Sequence, residues 1–474
     1  MKPVAIIGGG ITGLTAAFRL KQQGIPVTLY ESGNHVGGVI QSVRRDGYLA
    51  ESGPNAILET SPIIGELVHD LELEGRRRYT NPAAENRYLV RNGKLVPLPD
   101  SVSSFATSPL FSLSAKLRLL GEPFIGRAPA GEEESVAEFV LRRLGMEFLD
   151  YAIDPLVGGI YAGDPARLSV RQAFPKLHAV EEKYRSLLAG QILGARERKR
   201  RAEASKQTAK KFSFDEGLQV LTDELGGKLG PAVLLDSPVG WIEQTEQGWF
   251  VGAFNRGAMD LNEHSAVLFA GTAHGLAKLK IIARGAPQLS FLSNIYYPPV
   301  ASMVLGFRRE DVAHPLNGFG VLVPKVEDFS ILGAIFSSSL FPNRAPAGHV
   351  SLTCYVGGAR DPSLALSAPE ELKNLVVADL RKLLGVSGEP VFAQETVYLK
   401  AIPQYEVGYG RFKDLMRDAE DKCPGFFMAG HYRDGISLAD SIVSGHNAAQ
   451  RIRDFLTSPR PAARSAELHI KTAA

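Results

Sequence analysis

The sequence has few cysteines, little net charge and no long apolar run. Only Cys354 and Cys423 occur among its 474 residues, so it has no disulfide framework, and neither thiol has metal-ligand spacing. We therefore predict a reducing, cytoplasmic compartment and no metal site. The net charge of +2 argues against a field that attracts nucleic acid. No window reaches the roughly 18 apolar residues of a membrane-spanning helix, and the opening "MKPVAIIGGG" leaves no room for a signal peptide.

Two segments are rich in residues that do not form a core. The stretch 196–211, "RERKRRAEASKQTAKK", carries eight basic residues without interleaved aromatic residues, so we interpret it as a solvated excursion rather than a nucleic-acid site. The tail 457–474 is rich in proline and alanine, and we expect it to be disordered. The remainder is ordinary globular sequence that is 45% hydrophobic, and its length predicts two or three sub-domains.

A glycine motif follows the first apolar run. "VAIIGGGITGLTAAFRLKQQG" places Gly8, Gly9, Gly10 and Gly13 between a strand and a helix. Gly8 permits a tight turn, Gly10 lets the backbone approach a pyrophosphate, and Gly13 lets the helix pack on the strand. The N-terminus of that helix offers free N–H groups to phosphate. The motif predicts a dinucleotide site.

A carboxylate follows the second strand. "IPVTLYES" ends in Glu31 and Ser32, and Glu31 stands 23 residues after Gly8. A carboxylate at this point accepts hydrogen bonds from ribose hydroxyls and repels a 2′-phosphate, which disfavours NADP.

The residues after Glu31 resemble those of the FAD-dependent amine oxidase superfamily. "ESGNHVGGVIQS" supplies the glycine pair Gly37 and Gly38, followed by Val39, although His35 and Val39 replace basic residues common in that pattern. "ESGPNAIL" resembles the next element, in which Gly53 and Pro54 run beside the flavin. The resemblance implies FAD as the cofactor.

A second glycine segment lies near the far end of the chain. In "AGHYRDGISLADSIVSG" (429–445) a short strand breaks at Gly430, and a helix is predicted to open near Gly435. In the superfamily such a segment folds back beside the first glycine motif. The resemblance therefore implies that Ile436, Ser437 and Leu438 meet the polar edge of the flavin, so that one site is split across the chain.

Five further blocks resemble the porphyrinogen oxidase family, the oxygen-dependent flavoproteins of haem biosynthesis. They are "NRYLVRNGKLVPLP" (86–99), "PLVGGIYAGDPARLSVRQAFPKLHAVEEKYRSLLAG" (155–190), "FDEGLQVLTDEL" (214–225), "GFGVLVP" (318–324) and "SSSLFPNRAPAGHVSLTCYVGG" (337–358). The resemblance implies a six-electron oxidation of a porphyrinogen, with O₂ as acceptor and H₂O₂ as product. Protoporphyrinogen IX and coproporphyrinogen III both remain open as substrates.

The same resemblance implies the residues of a substrate site. Arg87 matches a propionate-binding arginine, and Gly159 matches a glycine of the ring cavity. Leu322 and Phe341 are candidates to sandwich the tetrapyrrole, and Val239 matches a contact to the adenine end of FAD. The sequence has no acid–base pair or nucleophilic triad, and we interpret His178, His274, His431 and His446 as structural. The flavin carries the chemistry.

The predicted fold class is α/β. We expect a discontinuous Rossmann-like FAD domain (1–90, 212–285 and 420–456), a helical and membrane-associating substrate region (91–211) and a mixed-sheet substrate domain (286–419). In the segment 101–128, Phe105, Leu110 and Phe111 beside Lys116, Arg118 and Arg127 suit an anionic membrane surface. We therefore expect peripheral association with the cytoplasmic face of the membrane.

Three alternatives stay open at this point. The chain could be another flavoenzyme with the glycine pair, namely an amine oxidase or a carotenoid desaturase. It could also be a tetrapyrrole-binding protein without catalysis. A homodimer is equally open.

Overall fold

The computed structural model describes residues 1–84, 86–129, 131–190, 193, 209–255 and 258–458. The predicted tail from residue 459 onward and the part of the basic stretch from 196 to 208 lie outside the described residues.

The first layer is a five-stranded parallel sheet whose strands come from distant parts of the chain. Because both faces of this sheet are covered, strands such as Val4–Ile7 are continuously apolar and buried. We call it the parallel sheet. Its strands in spatial order are Val233–Leu234, Val27–Tyr30, Val4–Ile7, Ala266–Phe269 and Phe426–Met428.

Helices cover one face of the parallel sheet. Helix Ile11–Gln22 packs against helix Leu438–Thr457, and a Cβ atom on Gly445 would lie 2.3 Å from the carbonyl oxygen of Thr12. The two helices therefore approach each other as closely as they do only because residue 445 is glycine. Helices Pro62–Asp70 and Gln219–Leu229 complete this apolar layer.

The other face is covered by a four-stranded sheet and two helices. Trp249, Phe412 and Met416 pack in the layer between them. The strands in spatial order are Ala258–His264, Trp249–Asn255, Val239–Gln244 and Lys280–Ile282, and the helices are Ala273–Leu276 and Gly410–Lys422.

A mixed seven-stranded sheet forms the second half of the molecule. Its strands pair antiparallel except for Gly318–Leu322 and Asn86–Arg91, which run parallel. Helix Pro369–Leu384 packs its apolar side on one face. The strands in spatial order are Phe392–Tyr398, Val300–Arg308, His349–Gly357, Ile331–Ile335, Gly318–Leu322, Asn86–Arg91 and Lys94–Pro97.

The chain between strand Lys94–Pro97 and residue 190 is mainly helical. A fully buried ion pair of Arg143 with Glu122, at 3.0 Å, and a second pair with Glu181 tie its helices together. The helices are Val102–Thr107, Leu113–Leu120, Val136–Arg143, Met146–Phe148, Asp154–Tyr161, Val170–Ala173 and Pro175–Tyr184, and Leu149–Ile153 is a π-helical turn.

The predicted membrane-facing side chains are placed differently from our expectation. Leu110 and Phe111 are buried, and the Phe111 ring stacks on Phe148 with centroids 4.3 Å apart. Phe105 packs against the same cluster. The expectation that Leu110 and Phe111 face a bilayer is wrong, because their apolar surface is already used in the core of the helical region.

Short sheets and a buried ion pair join the two halves. Arg344, near the seven-stranded sheet, contacts Glu51 at 3.4 Å and Ser213 at 2.8 Å. Burial raises the pKa of Glu51, while the charge of Arg344 opposes that rise. One short sheet pairs Ser42–Arg45 with Tyr48–Glu51, and in the other Lys211–Phe214 lies between Ile57–Leu58 and Arg77–Tyr79 and pairs with both. Helix Ser337–Leu340 completes the fold.

Candidate flavin and substrate site

Three loops meet at the carboxyl ends of three neighbouring strands of the parallel sheet. They follow Ile7, Phe269 and Met428. A Cβ on Gly8 would lie 3.0 Å from the Ala270 carbonyl carbon, and one on Gly430 would lie 3.8 Å from the Gly271 oxygen. Ligands of open parallel sheets bind at this edge. The fold therefore brings both predicted glycine segments to one place.

The first glycine loop leaves space for a phosphate. A Cβ on Gly13 would lie only 2.0 Å from the Gly8 carbonyl oxygen, so the helix can pack this closely on the loop only because residue 13 is glycine. In contrast, a Cβ on Gly10 would meet nothing within 4 Å. No side chain caps helix Ile11–Gln22 at Gly10. The helix N-terminus thus offers its N–H groups and its dipole to an anion.

Glu31 lies beside this loop. Its Oε2 accepts a hydrogen bond from the Gly9 N–H at 2.6 Å, and its Oε1 accepts one from Gly33 at 2.7 Å. The exposed Ser32 hydroxyl donates to the same Oε1 at 3.2 Å. The Glu31 carbonyl accepts from Ser237 at 2.8 Å, so that the segment leading to Val239 runs alongside. Both predicted adenosine-side elements therefore lie at one corner of the sheet.

The glycine pair packs on the first loop. The Gly37 N–H donates to the Gly9 carbonyl oxygen at 2.8 Å, and a Cβ on Gly38 would lie 3.7 Å from the Gly10 Cα. Both glycines have positive φ, at 102° and 61°. A residue with a side chain would be strained at both positions. This geometry keeps the backbone of residues 37–38 close to the phosphate position.

Val39, Gly53 and Pro54 continue this wall. A Cβ on Gly53 would lie 2.6 Å from the Val39 carbonyl oxygen, so the two backbone segments are in direct contact. The Val39 side chain is exposed, and Gly53 and Pro54 are half-buried. The segment predicted to run beside the flavin therefore borders an open face.

The C-terminal glycine segment is a turn from Gly430 to Gly435. Both glycines have φ near +120°, and the Gly430 N–H donates to the Ser444 hydroxyl at 2.9 Å. The helix begins at Leu438 rather than at Gly435, because Ser437 caps it and shares a capping box with Asp440. Ile436 is half-buried between the parallel-sheet core and the helical region. We call residues 430–438 the C-terminal turn.

Sequence reasoning missed the third loop. Ala270, Gly271 and Thr272 lie between the other two loops, and Thr272 caps helix Ala273–Leu276 by accepting from Gly275 at 3.2 Å. The signal was available in "AVLFAGTAHGL", an apolar strand that ends in a glycine and a helix cap. Its contact with Gly8 depends on the pairing of strands 4–7 and 266–269, which sequence alone did not reveal.

His431 and His274 lie at the same edge. Burial lowers the pKa of His431 to about 4, so the ring is neutral at physiological pH. Its Nε2 lies 3.5 Å from the Tyr297 hydroxyl, which also accepts from the Ala273 N–H at 3.3 Å. Burial lowers the pKa of His274 as well. Both histidines are therefore placed as neutral neighbours of the loops.

The predicted substrate residues lie on one face of the seven-stranded sheet, with one exception. Arg87 pairs in register with Gly320, and Leu322 pairs with Leu89. A Cβ on Gly159 would lie 2.5 Å from the Leu322 side chain, so helix Asp154–Tyr161 packs directly on Leu322. Phe341 is instead buried in a small cluster with Ala84 and Leu340.

Arg87 differs from the other arginines around this face. Among the described residues, its half-buried guanidinium has no hydrogen bond or ion pair. Arg91 pairs with Glu147 at 3.0 Å, and Arg360 pairs with Asp154 at 3.0 Å. Burial raises the pKa of Asp154, and Arg360 opposes this. Arg87 is thus the arginine of this group that can bind an external carboxylate.

Helix Asp154–Tyr161 also contacts Tyr405, whose hydroxyl is hydrogen-bonded to the C-terminal turn. Tyr161 of helix Asp154–Tyr161 meets the Tyr405 ring edge-on, with centroids 6.2 Å apart. Leu322, Ile402 and Ile436 pack against the same apolar cluster. The face that carries Arg87 therefore leads directly to the C-terminal turn.

A family comparison decides what this site is. The model of the family described as flavin containing amine oxidoreductase matches residues 11–453. The chain belongs to this family. It is an FAD-dependent oxidoreductase, which confirms the predicted cofactor and enzyme class, and Glu31 and the open space at Gly10 fit the cofactor.

Similar proteins cover almost the whole chain. Protoporphyrinogen oxidase 2 of Arabidopsis thaliana is 36% identical, covering 96% of this chain and 95% of that protein. Coproporphyrinogen III oxidase of Bacillus subtilis is 32% identical, covering 96% of this chain and 99% of that protein. These findings confirm the predicted resemblance.

Solved structures share the fold. Cyclohexylamine oxidase from Brevibacterium oxydans has a TM-score of 0.69 at 17% identity, covering 96% of this chain and all 100% of that chain. A reduced UDP-galactopyranose mutase has a TM-score of 0.74 at 16% identity, covering 97% of both chains. The predicted fold class is confirmed.

Proposed function

We propose that this protein oxidises a porphyrinogen to a porphyrin, with O₂ as the acceptor. The observation that carries the proposal is Arg87, which has no side-chain partner among the described residues and lies on an apolar sheet face that leads to the C-terminal turn. The full-length similarity to protoporphyrinogen and coproporphyrinogen oxidases supports it. Three two-electron steps remove six electrons and six hydrogens from the macrocycle and convert three O₂ to three H₂O₂.

FAD, when bound, supplies the two-electron chemistry and the reaction with O₂. The chain's own residues bind and orient the substrate and exclude water. Arg87 neutralises and anchors a propionate through a bidentate pair. Gly320, which pairs in register with Arg87, has no side chain that could cover the guanidinium. Leu322 and the backbone at Gly159 shape the wall.

We propose protoporphyrinogen IX as the preferred substrate. Its two propionates lie on one edge of the ring, whereas coproporphyrinogen III carries four around it. Away from Arg87, the apolar side chains of Leu322, Ile402 and Ile436 pack against one cluster and form this wall. A carboxylate held against that wall would lose hydration without gaining a partner.

Side-by-side kinetics test both parts of the proposal. The purified holoprotein receives each porphyrinogen, and O₂ uptake, H₂O₂ and porphyrin fluorescence are recorded. We expect both activities to be detectable, with kcat/KM for protoporphyrinogen IX higher by about 10²-fold. A preference for coproporphyrinogen III would overturn the substrate assignment alone. Failure to oxidise either compound, with no anaerobic bleaching of the flavin, would leave a tetrapyrrole-binding protein without catalysis.

We also propose peripheral attachment to the cytoplasmic face of a membrane. Helix Leu113–Leu120 exposes Leu113 by 72%, Leu117 by 58% and Leu120 by 69%, and Phe124 is 91% exposed. This apolar patch (Leu113, Leu117, Leu120 and Phe124) fits the interfacial region of a bilayer. In the described residues no helix is both long enough and apolar enough to cross a membrane.

The basic residues of this region donate hydrogen bonds to the backbone of the helical region. Lys116 donates to the carbonyl oxygens of Ala106 and Ser108 at 2.9 and 2.8 Å, and Arg118 donates to Leu141 at 3.1 Å. Arg127 donates to the carbonyl oxygen of Glu182. These cations brace the helical region, so the apolar patch supplies most of the proposed membrane affinity.

A further inference from the structure

Tyrosine hydroxyls from the substrate side of the molecule reach the backbone of both flavin segments. Tyr355 and Tyr398 belong to the seven-stranded sheet, and Tyr405 follows it in the chain. The flavin segments are residues 39–54 and the C-terminal turn. The Tyr398 hydroxyl lies 3.4 Å from the Val39 carbonyl oxygen and makes the weakest of these contacts.

Tyr355 holds the N-terminal flavin segment. Its hydroxyl donates to the Gly53 carbonyl oxygen at 3.0 Å and accepts from Asn55 Nδ2 at 2.6 Å. The Asn55 side-chain oxygen Oδ1 accepts from the Thr353 hydroxyl at 3.4 Å, and that hydroxyl is hydrogen-bonded to the Ser337 hydroxyl at 2.8 Å. A chain of polar side chains thus runs from the sheet to the backbone at Gly53.

Tyr405 holds the C-terminal turn. Its buried hydroxyl donates to the His431 carbonyl oxygen at 2.5 Å and accepts from the Gly435 N–H at 3.1 Å. One oxygen atom therefore ties together residues near both ends of the turn. The other side of the Tyr405 ring meets Tyr161, which lies two residues after Gly159.

Both hydroxyls are fixed in their neutral state. Burial raises the pKa of Tyr355 and of Tyr405 well above that of an exposed tyrosine. Each hydroxyl therefore keeps its proton at neutral pH and can both donate and accept.

We infer that Tyr355 and Tyr405 are positioning residues that set the two flavin segments relative to the substrate face. The inference rests on the proposed function for its kinetic part and goes beyond it in naming the residues that align the two halves. Removing the Tyr405 hydroxyl leaves the His431 carbonyl oxygen and the Gly435 N–H without this partner. Removing the Tyr355 hydroxyl takes one hydrogen bond from the Gly53 carbonyl oxygen and one from Asn55. A displacement of about 1 Å between reacting groups can lower a rate by about 10²-fold.

The test compares Tyr355→Phe and Tyr405→Phe with Tyr88→Phe in the holoprotein. Tyr88 is a matched control, because its hydroxyl makes one hydrogen bond to Asn317 at 2.7 Å within the same sheet. We expect both test variants to change the flavin absorption spectrum, the reduction potential and the FAD dissociation constant, and to lower kcat by about 10 to 100-fold while KM changes little. Tyr88→Phe should match the wild type.

Two results would overturn the inference. One is wild-type spectrum, potential and kcat in both test variants; the other is an equal change in Tyr88→Phe. If Tyr355→Phe does not fold, Asn55→Ala is read in the same way, because it removes the hydrogen bond that the Tyr355 hydroxyl accepts and the one from Asn55 Nδ2 to the Gly53 carbonyl oxygen. The spectrum and potential need no porphyrinogen, because dithionite reduces the flavin. The inference can therefore fail or stand even when the proposed substrate is wrong.

Discussion

Arg87 and Arg91 lie on one strand, four residues apart and on the same face of the sheet, yet they have different surroundings. Arg91 pairs with Glu147, and its guanidinium lies 3.7 Å from the centre of the Tyr151 ring. Arg87 faces Gly320 across the strand pair and has no partner among the described side chains. At the scale of the residue, the ion pair of Arg91 with Glu147 leaves Arg87 as the one of these two arginines that can bind a carboxylate ligand.

Replacing Arg87 tests this difference. Arg87→Ala should lower kcat/KM for the porphyrinogen by about 10²-fold, since a bidentate charged pair is lost, while FAD content stays unchanged. Arg87→Lys should restore only part of the activity, because an ammonium group cannot form the two parallel bonds.

Arg91→Ala is the control for that prediction. It breaks an ion pair and a cation–π contact, so we expect a lower melting temperature with kcat/KM near that of the wild type. If Arg87→Ala keeps wild-type kinetics, or Arg91→Ala loses as much activity, then the placement of the propionate is wrong.

At the scale of the element, the apolar residues of segment 101–128 have two different roles. Leu110 and Phe111 fill the core of the helical region, while the apolar patch faces outward. A change in Leu110 or Phe111 would create a cavity and destabilise the protein. Only the apolar patch can report on membrane binding.

Liposome flotation tests whether the apolar patch binds a membrane. The triple variant Leu117→Ser, Leu120→Ser and Phe124→Ser should reduce binding to anionic liposomes by at least about tenfold, since each lost side chain removes roughly 1.5–3 kcal/mol of apolar burial. A variant with Phe254, Met259 and Leu261 changed to Ser serves as the control, because these exposed side chains lie on the four-stranded sheet. Equal flotation of the wild type and the triple variant would remove the membrane proposal.

At the scale of the whole molecule, the candidate flavin site joins segments separated by more than four hundred residues. Gly8, Gly271 and Gly430 meet because strands 4–7, 266–269 and 426–428 are neighbours in one sheet. The described thiols, Cys354 and Cys423, are both buried. We therefore predict that FAD is bound without a covalent link.

Acid precipitation tests that prediction. Trichloroacetic acid should release all flavin colour into the supernatant, and colour retained in the pellet would contradict it. Glu31→Ala should raise the FAD dissociation constant more than about tenfold, because each charge-assisted hydrogen bond contributes about 1.5–3 kcal/mol. Glu246→Ala, on an exposed turn, should leave the dissociation constant unchanged.

The sequence by itself determined the glycine loop, Glu31, the glycine pair and the C-terminal turn. Each depends on backbone conformation within a few residues: a positive φ at Gly8, Gly37 or Gly430, or a strand that passes directly into a helix. These requirements involve only residues that are close in sequence, so a pattern of residue types is enough to detect them. The domain boundaries and the roles of the predicted site residues stay predictions.

Only the tertiary structure decided which side chains can contact a ligand or a membrane and which already contact other parts of the protein. Leu110 and Lys116 have the residue types of a membrane surface, but Leu110 is buried in the core and Lys116 donates to backbone carbonyl oxygens of its own segment. Tyr355 contacts Gly53 across some three hundred residues of sequence, and the loop at Gly271 reaches Gly8 through strand pairing. Such contacts depend on the register of distant strands, and no local pattern of residue types encodes that register.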